Sequence, residues 1–262
     1  MTVSEQERVQ VNELLGVLRV TEQWIDQRPP AVQPGSSLAG DDRRTDPHQL
    51  SHAVMHSMGV AIDHLHTLRM AMTGQGDGSI ALHTYSPLTL IRAAIENAAT
   101  AVWMLSPTQR EARIMRLVRY EMASVKNAQS FMKAASLPEQ EGMEQRRLRL
   151  LGIADRCRLP EVEVKKKLST TEILKDAGAT AKLVDKEHEL APLFWRLCSA
   201  VTHGDSWIIS MLDREEHEQL GPNVSMYRIT APTQWVVSGA HASLALIHTA
   251  RNLYEQRATS HL

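Results

Sequence analysis

Two Ser-Pro steps about twenty residues apart, Ser86-Pro87 and Ser106-Pro107, constrain what this chain can fold into more than any other feature. Proline fixes φ near the helical value and gives up only an N–H that the first turn of a helix leaves unpaired, so a polar residue followed by Pro marks a helix start. Between the two steps Leu90, Ile91, Ala94, Ile95, Ala98, Val102 and Leu105 recur at three- and four-residue intervals, the period of one helix face. A helix that ends where the next start signal stands implies a helix hairpin. The same kind of signal recurs at Asp46-Pro47, at Ser136-Leu137-Pro138-Glu139 and at Ala231-Pro232, each opening a long segment rich in Ala, Leu, Met, Arg, Glu and Gln. With five Trp, four Tyr and two Phe in 262 residues and few β-branched runs, the composition favours helices over sheets.

The expected architecture is therefore all-α, a bundle of seven or eight helices. Val11, Leu14, Leu15, Leu18 and Trp24 mark an amphipathic N-terminal helix over 1–26. Residues 27–46, with Pro29, Pro30, Pro34, Gly35, Gly40 and Asp41, read as a flexible linker, and 47–262 as the bundle domain. The second helix is expected to stop at the glycine cluster Gly74, Gly76 and Gly78. Ser169 with Glu172 three residues on forms a capping box. Residues 185–202 read as a helix broken by Gly204, and 207–230 as a short hairpin or irregular connection.

Net charge is −1, from 29 Lys and Arg against 30 Asp and Glu, which argues against coating nucleic acid or anionic lipid by bulk charge. Cys157 and Cys198 have no CxxC spacing, so neither a disulfide scaffold nor a thiolate zinc site is written here. The N-terminal residues show no basic segment followed by an apolar one, and no run reaches the roughly 18 apolar residues of a membrane span, so a cytoplasmic chain without a membrane partner is expected. Phosphate-cradling glycine loops and the GxSxG nucleophile elbow are absent from the sequence.

The segment from Phe194 to Gly204 carries the chemistry. At about 100° per residue, Ser199 lies about 300° and His203 about 700° from Arg196, so Arg196, Ser199 and His203 share one helix face. Cleaving a phosphodiester without metal needs a histidine to move protons and an arginine to stabilise charge on the phosphate; Ser199 is placed to orient either. Arg196 and His203, six residues between them, resemble the Arg-x(4–6)-His motif of HEPN domains, the all-α bundles of prokaryotic toxins, antiviral systems and RNA-processing ribonucleases. The chain also resembles a group of bacterial helical proteins through Arg92, Glu96, Trp103, Leu105 and Pro107, then Trp195, Arg196, Ser199, His203 and Gly204. The resemblance implies a homodimer whose two motifs meet to make one metal-free ribonuclease site without cofactor, RNA as substrate, and a neutralising protein partner.

Other readings stand beside it. Arg196 and His203 also suit a non-catalytic helical interaction module, with Arg196 paired to a buried acid and His203 satisfying the helix end. Arg92 and Glu96, an i,i+4 pair on an apolar helix, are candidates for such a network or for holding the site in place. Arg110, Arg113, Arg116 and Arg119 wrap around one helix and, with Lys165-Lys166-Lys167, offer a surface that could steer single-stranded RNA, or a solvated face paired to acids such as Glu111, Glu121 and Glu144. His52 and His56 have the spacing of a metal pair, but a solvated or dimer-contacting stripe is the simpler account. Trp103, Trp195, Trp207 and Trp235 are core candidates before they are a stacking platform.

Overall fold

The structure is a computed structural model that describes residues 5–27, 29–73, 80–138, 141–185, 188–222 and 224–260. Its centre is a helix, Ser86–Leu105, with Pro87 in its first turn as the sequence predicts. From Ala98 to Leu105 every side chain of that helix is buried, so no face is left for solvent and other helices must cover it all round. Its length and mean hydropathy of 1.2 would let it cross a membrane by composition alone, but 67% of that window is buried within the fold.

In chain order the helices are α1 (Glu5–Leu18), α2 (Val20–Asp26), α3 (Ser37–Thr45), α4 (Leu50–Met72), α5 (the central Ser86–Leu105), α6 (Arg110–Ala134), α7 (Glu141–Arg156), α8 (Glu161–Lys165), α9 (Thr170–Thr180), α10 (Leu190–His203) and α11 (Thr233–Ala258). Helices α4, α9, α10 and α11 pack directly on α5. The α5–α11 approach is close because Gly239 has no side chain: a Cβ there would stand 2.9 Å from Ile91 Cγ2. Two antiparallel ribbons, β1 (Val184–Asp185) with β2 (His188–Glu189) and β3 (Asp213–Gly221) with β4 (Val224–Thr230), are the strands among the described residues. The β3–β4 hairpin settles the expectation for 207–230. A separate apolar cluster, Ile114, Val118, Val125, Leu150, Ile153, Ala154 and Val164, joins α6, α7 and α8.

Among the described residues eleven α-helices stand where seven or eight were expected, and the extra ones have identifiable origins. The N-terminal helix breaks at Arg19 into α1 and α2, which pack on α4 and α11. The linker expected over 27–46 is corrected: it holds α3, capped by Ser36 Oγ accepting from Ala39 N–H at 3.1 Å, with Leu38, Asp41 and Thr45 buried. Before it, Gln33 N–H donates to Ala258 O at 2.9 Å, tying the proline-rich segment to the end of α11. Asp46-Pro47 and Ser106-Pro107 lie just outside the helices they announce, which begin at Leu50 and Arg110. The glycine cluster at 74–78 and Glu139 lie outside the described residues.

Candidate functional site

Helix α10 is amphipathic for a local reason: Ala191, Pro192, Cys198, Ala200 and Val201 are buried against α5 and α9, and the opposite face is left to water. Gly204 ends it in the left-handed region (φ 68°), where its N–H reaches Val201 O at 3.2 Å and Asp205 N–H reaches Ala200 O at 3.0 Å. A glycine is needed there because a Cβ at positive φ meets the neighbouring carbonyl. Arg196 and His203 are both exposed on the outer face and Ser199 is half-buried between them. Neither Arg196 nor His203 has a carboxylate within salt-bridge distance among the described residues. Seven residue steps place Arg196 and His203 roughly 10 Å apart along the helix axis.

Arg92 and Glu96 do not pair with Arg196. They brace its neighbour: Trp195 donates its Nε1–H to Glu96 Oε2 at 3.1 Å, and the Arg92 guanidinium lies 5.8 Å from the Trp195 ring centroid. The Arg92 Nε–H is buried and has no hydrogen-bond partner among the described residues. Behind them, burial pushes the Cys198 thiol up to about 12, against the opposing pull of the Arg92 charge, so this cysteine stays a protonated core residue.

The arginines of α6 are placed differently from a surface track. Arg113 is 2% exposed and donates from Nε and Nη2 to the buried Asp41 carboxylate at 2.7 and 3.0 Å, and from Nη1 to the carbonyls of Pro107 and Thr108. Arg110 shares Asp41 at 2.9 Å. Arg116 is fixed by Asp176 at 2.8 Å and Ser106 Oγ at 2.9 Å, with its guanidinium 5.0 Å from the Trp103 ring centroid. Arg113 is thus architecture and is not presented to any ligand, while Arg110 and Arg116 hold α3 and α9 to α6. His52 and His56 are exposed on α4, and among the described residues no three ligating side chains cluster. Trp103 is buried, but Trp207 is 52% exposed because it lies in a 3₁₀ turn past Gly204 and not on a core-facing helix.

Sequence reasoning missed Asp41. Its segment carries no hydrophobic period, and the two arginines that make it a core residue lie 69 and 72 positions away, so no local signal could have found it.

No family model, no curated protein and no solved structure matches the chain.

Proposed function

We propose that this is a HEPN-like, metal-independent ribonuclease of a toxin or antiviral type, acting as a cytoplasmic homodimer on RNA, with Arg196 and His203 as its catalytic pair. The observation that carries the reading is the exposure of both side chains on one face of α10 without an acidic partner among the described residues. An arginine and a histidine that merely locked helices together would be buried or paired, as Arg113 is.

In this reading the His203 imidazole of one copy takes the proton of a ribose 2′-OH, whose oxygen attacks the adjacent phosphorus as the bond from phosphorus to the 5′ oxygen breaks, and the protonated His203 of the second copy gives its proton to that departing oxygen. Arg196 donates to the non-bridging phosphate oxygens, which gain charge as the phosphorane forms. Ser199 orients one of the two. Trp195, held by Glu96 and Arg92, fixes the helix face that carries them. A second copy supplies the facing pair, and a protein partner that covers the α10 face would silence it.

Cleavage of single-stranded, hairpin and transfer RNAs in EDTA tests the proposal, comparing wild type with Arg196→Ala and His203→Ala. Exposed, unpaired side chains contribute within about 0.5 kcal/mol to stability, so both variants are expected to melt with wild type and to lose about a hundredfold or more in cleavage rate. Absence of cleavage by wild type across the panel, or undiminished cleavage by either variant, would leave the pair without a catalytic role.

A further inference from the structure

A groove of about 970 Å³ opens between α6 and the segment running from α8 into α9, with Glu96 and Thr100 of α5 at its inner wall. That is the size of a small-molecule site, and a groove walled on one side by the central helix suits a compact ligand better than a continuous strand. Its lining is of two kinds. Tyr120, Val125, Leu168 and Ile173 are apolar or aromatic, while Arg119, Lys126, Arg147 and Lys165, Lys166 and Lys167 are cationic, with Glu96 the carboxylate among the lining residues.

Charge pairing separates these cations. Arg147 is held by Glu144 and Lys165 by Glu161, so both are neutralised locally. Lys126, Lys166 and Lys167 have no carboxylate within salt-bridge distance among the described residues. Arg119 spends one Nη on Lys167 O at 3.2 Å and leaves its buried Nε–H without a partner among the described residues. The shielded Arg119 Nε–H is a donor left over for a ligand, and the exposed Lys126, Lys166 and Lys167 side chains, which line the same groove, add positive charge that favours an anionic one. The Glu96 carboxylate at the inner wall accepts from Trp195 and forms no ion pair with these cations among the described residues.

We infer that the groove binds an organic phosphate or diphosphate of small-molecule size, its anionic head taken by Arg119, Lys126, Lys166 and Lys167 and its apolar body laid along the half-buried Tyr120, Met122 and Leu168. Arginine and lysine are the residues that recognise phosphate, the first by paired donors and the second as a point charge. The mixed lining separates such a ligand from inorganic phosphate, which offers nothing to the apolar wall. This inference stands apart from the Arg196–His203 pair and holds or fails without it.

Titration calorimetry on the full chain tests it with four probes: inorganic pyrophosphate, adenosine diphosphate, geranyl diphosphate and a ten-nucleotide RNA. At least one of the two organic phosphates is expected to bind at least tenfold tighter than pyrophosphate. The combined variant Lys126→Ala/Lys166→Ala/Lys167→Ala, whose substitutions are all at exposed positions, is expected to lose at least tenfold in that affinity, while Arg196→Ala leaves it unchanged. Tyr120→Leu should weaken the organic ligand and leave pyrophosphate as it is. The inference is overturned if neither organic phosphate binds, if pyrophosphate binds as well as they do, if the triple variant binds like wild type, or if the RNA alone binds. Thermal melting of each variant confirms that a loss of affinity is read on folded protein.

Discussion

Asp41 shows how much one side chain decides. It is fully buried, in a helix of nine residues, and meets the guanidinium groups of both Arg110 and Arg113. Two charges taken out of water cost several kcal/mol each, and the network offsets this only because Arg113 also satisfies two backbone carbonyls just before α6. Removing the acid strands the buried arginine, so Asp41→Ala is expected to lose about 3–5 kcal/mol in urea unfolding. Arg110→Ala removes a cation whose side chain is 36% exposed, and is expected to lose no more than about 1 kcal/mol. Equal losses for the two would mean that solvent reaches the pair and that burial does not set its strength.

At the level of elements, what the sequence made legible was whatever is decided locally. Ser169 caps α9 by accepting the Glu172 N–H at 3.3 Å, Pro87 opens α5, Gly204 closes α10, and the shared face of Arg196, Ser199 and His203 follows from helix period alone. Long-range pairing was not legible. Helix α3 exists because Leu38 and Asp41 find partners on distant elements, and Glu96 reaches Trp195 across 99 positions. The same division between local and long-range causes predicts opposite outcomes for one substitution on two helices. On α4, Gly59 is exposed, and a methyl group added there would meet nothing within 4 Å, so Gly59→Ala is expected to add about 0.5–1 kcal/mol through helix propensity. On α11 the new Cβ of Gly239→Ala would press on the branched Ile91 side chain, and overpacking of about 1–3 kcal/mol outweighs the same propensity gain. Thermal unfolding reads both signs, and a stabilised Gly239→Ala would show that α5 and α11 can separate without loss.

Over the whole molecule the apolar interior falls into two parts that meet at α6. Leu117 of α6 belongs to the main core around α5, while Ile114, Val118 and Val125 turn toward α7 and α8. Helix α7 leaves Leu148 exposed and is joined to α6 by a small apolar cluster and by the Arg146–Glu121 ion pair, whereas α5 is enclosed by four helices. Local stability follows the number of buried apolar contacts, so α7 and α8 should open at a lower free energy than α5. Hydrogen exchange is expected to show the amides around Leu150 and Ile153 exchanging through a sub-global opening, and those from Ala94 to Val102 only through global unfolding. Ile153→Ala leaves a cavity costing about 2–5 kcal/mol, and while α7 opens first that cost falls on α7 and α8 exchange and leaves the gap between α5 protection and global stability unchanged. If α5 and α7 instead exchange at one common free energy in wild type, the two clusters unfold as one cooperative unit. The groove between α6 and the α8–α9 segment would then be as rigid as the bundle core, and not walled on one side by the less stable part of the molecule.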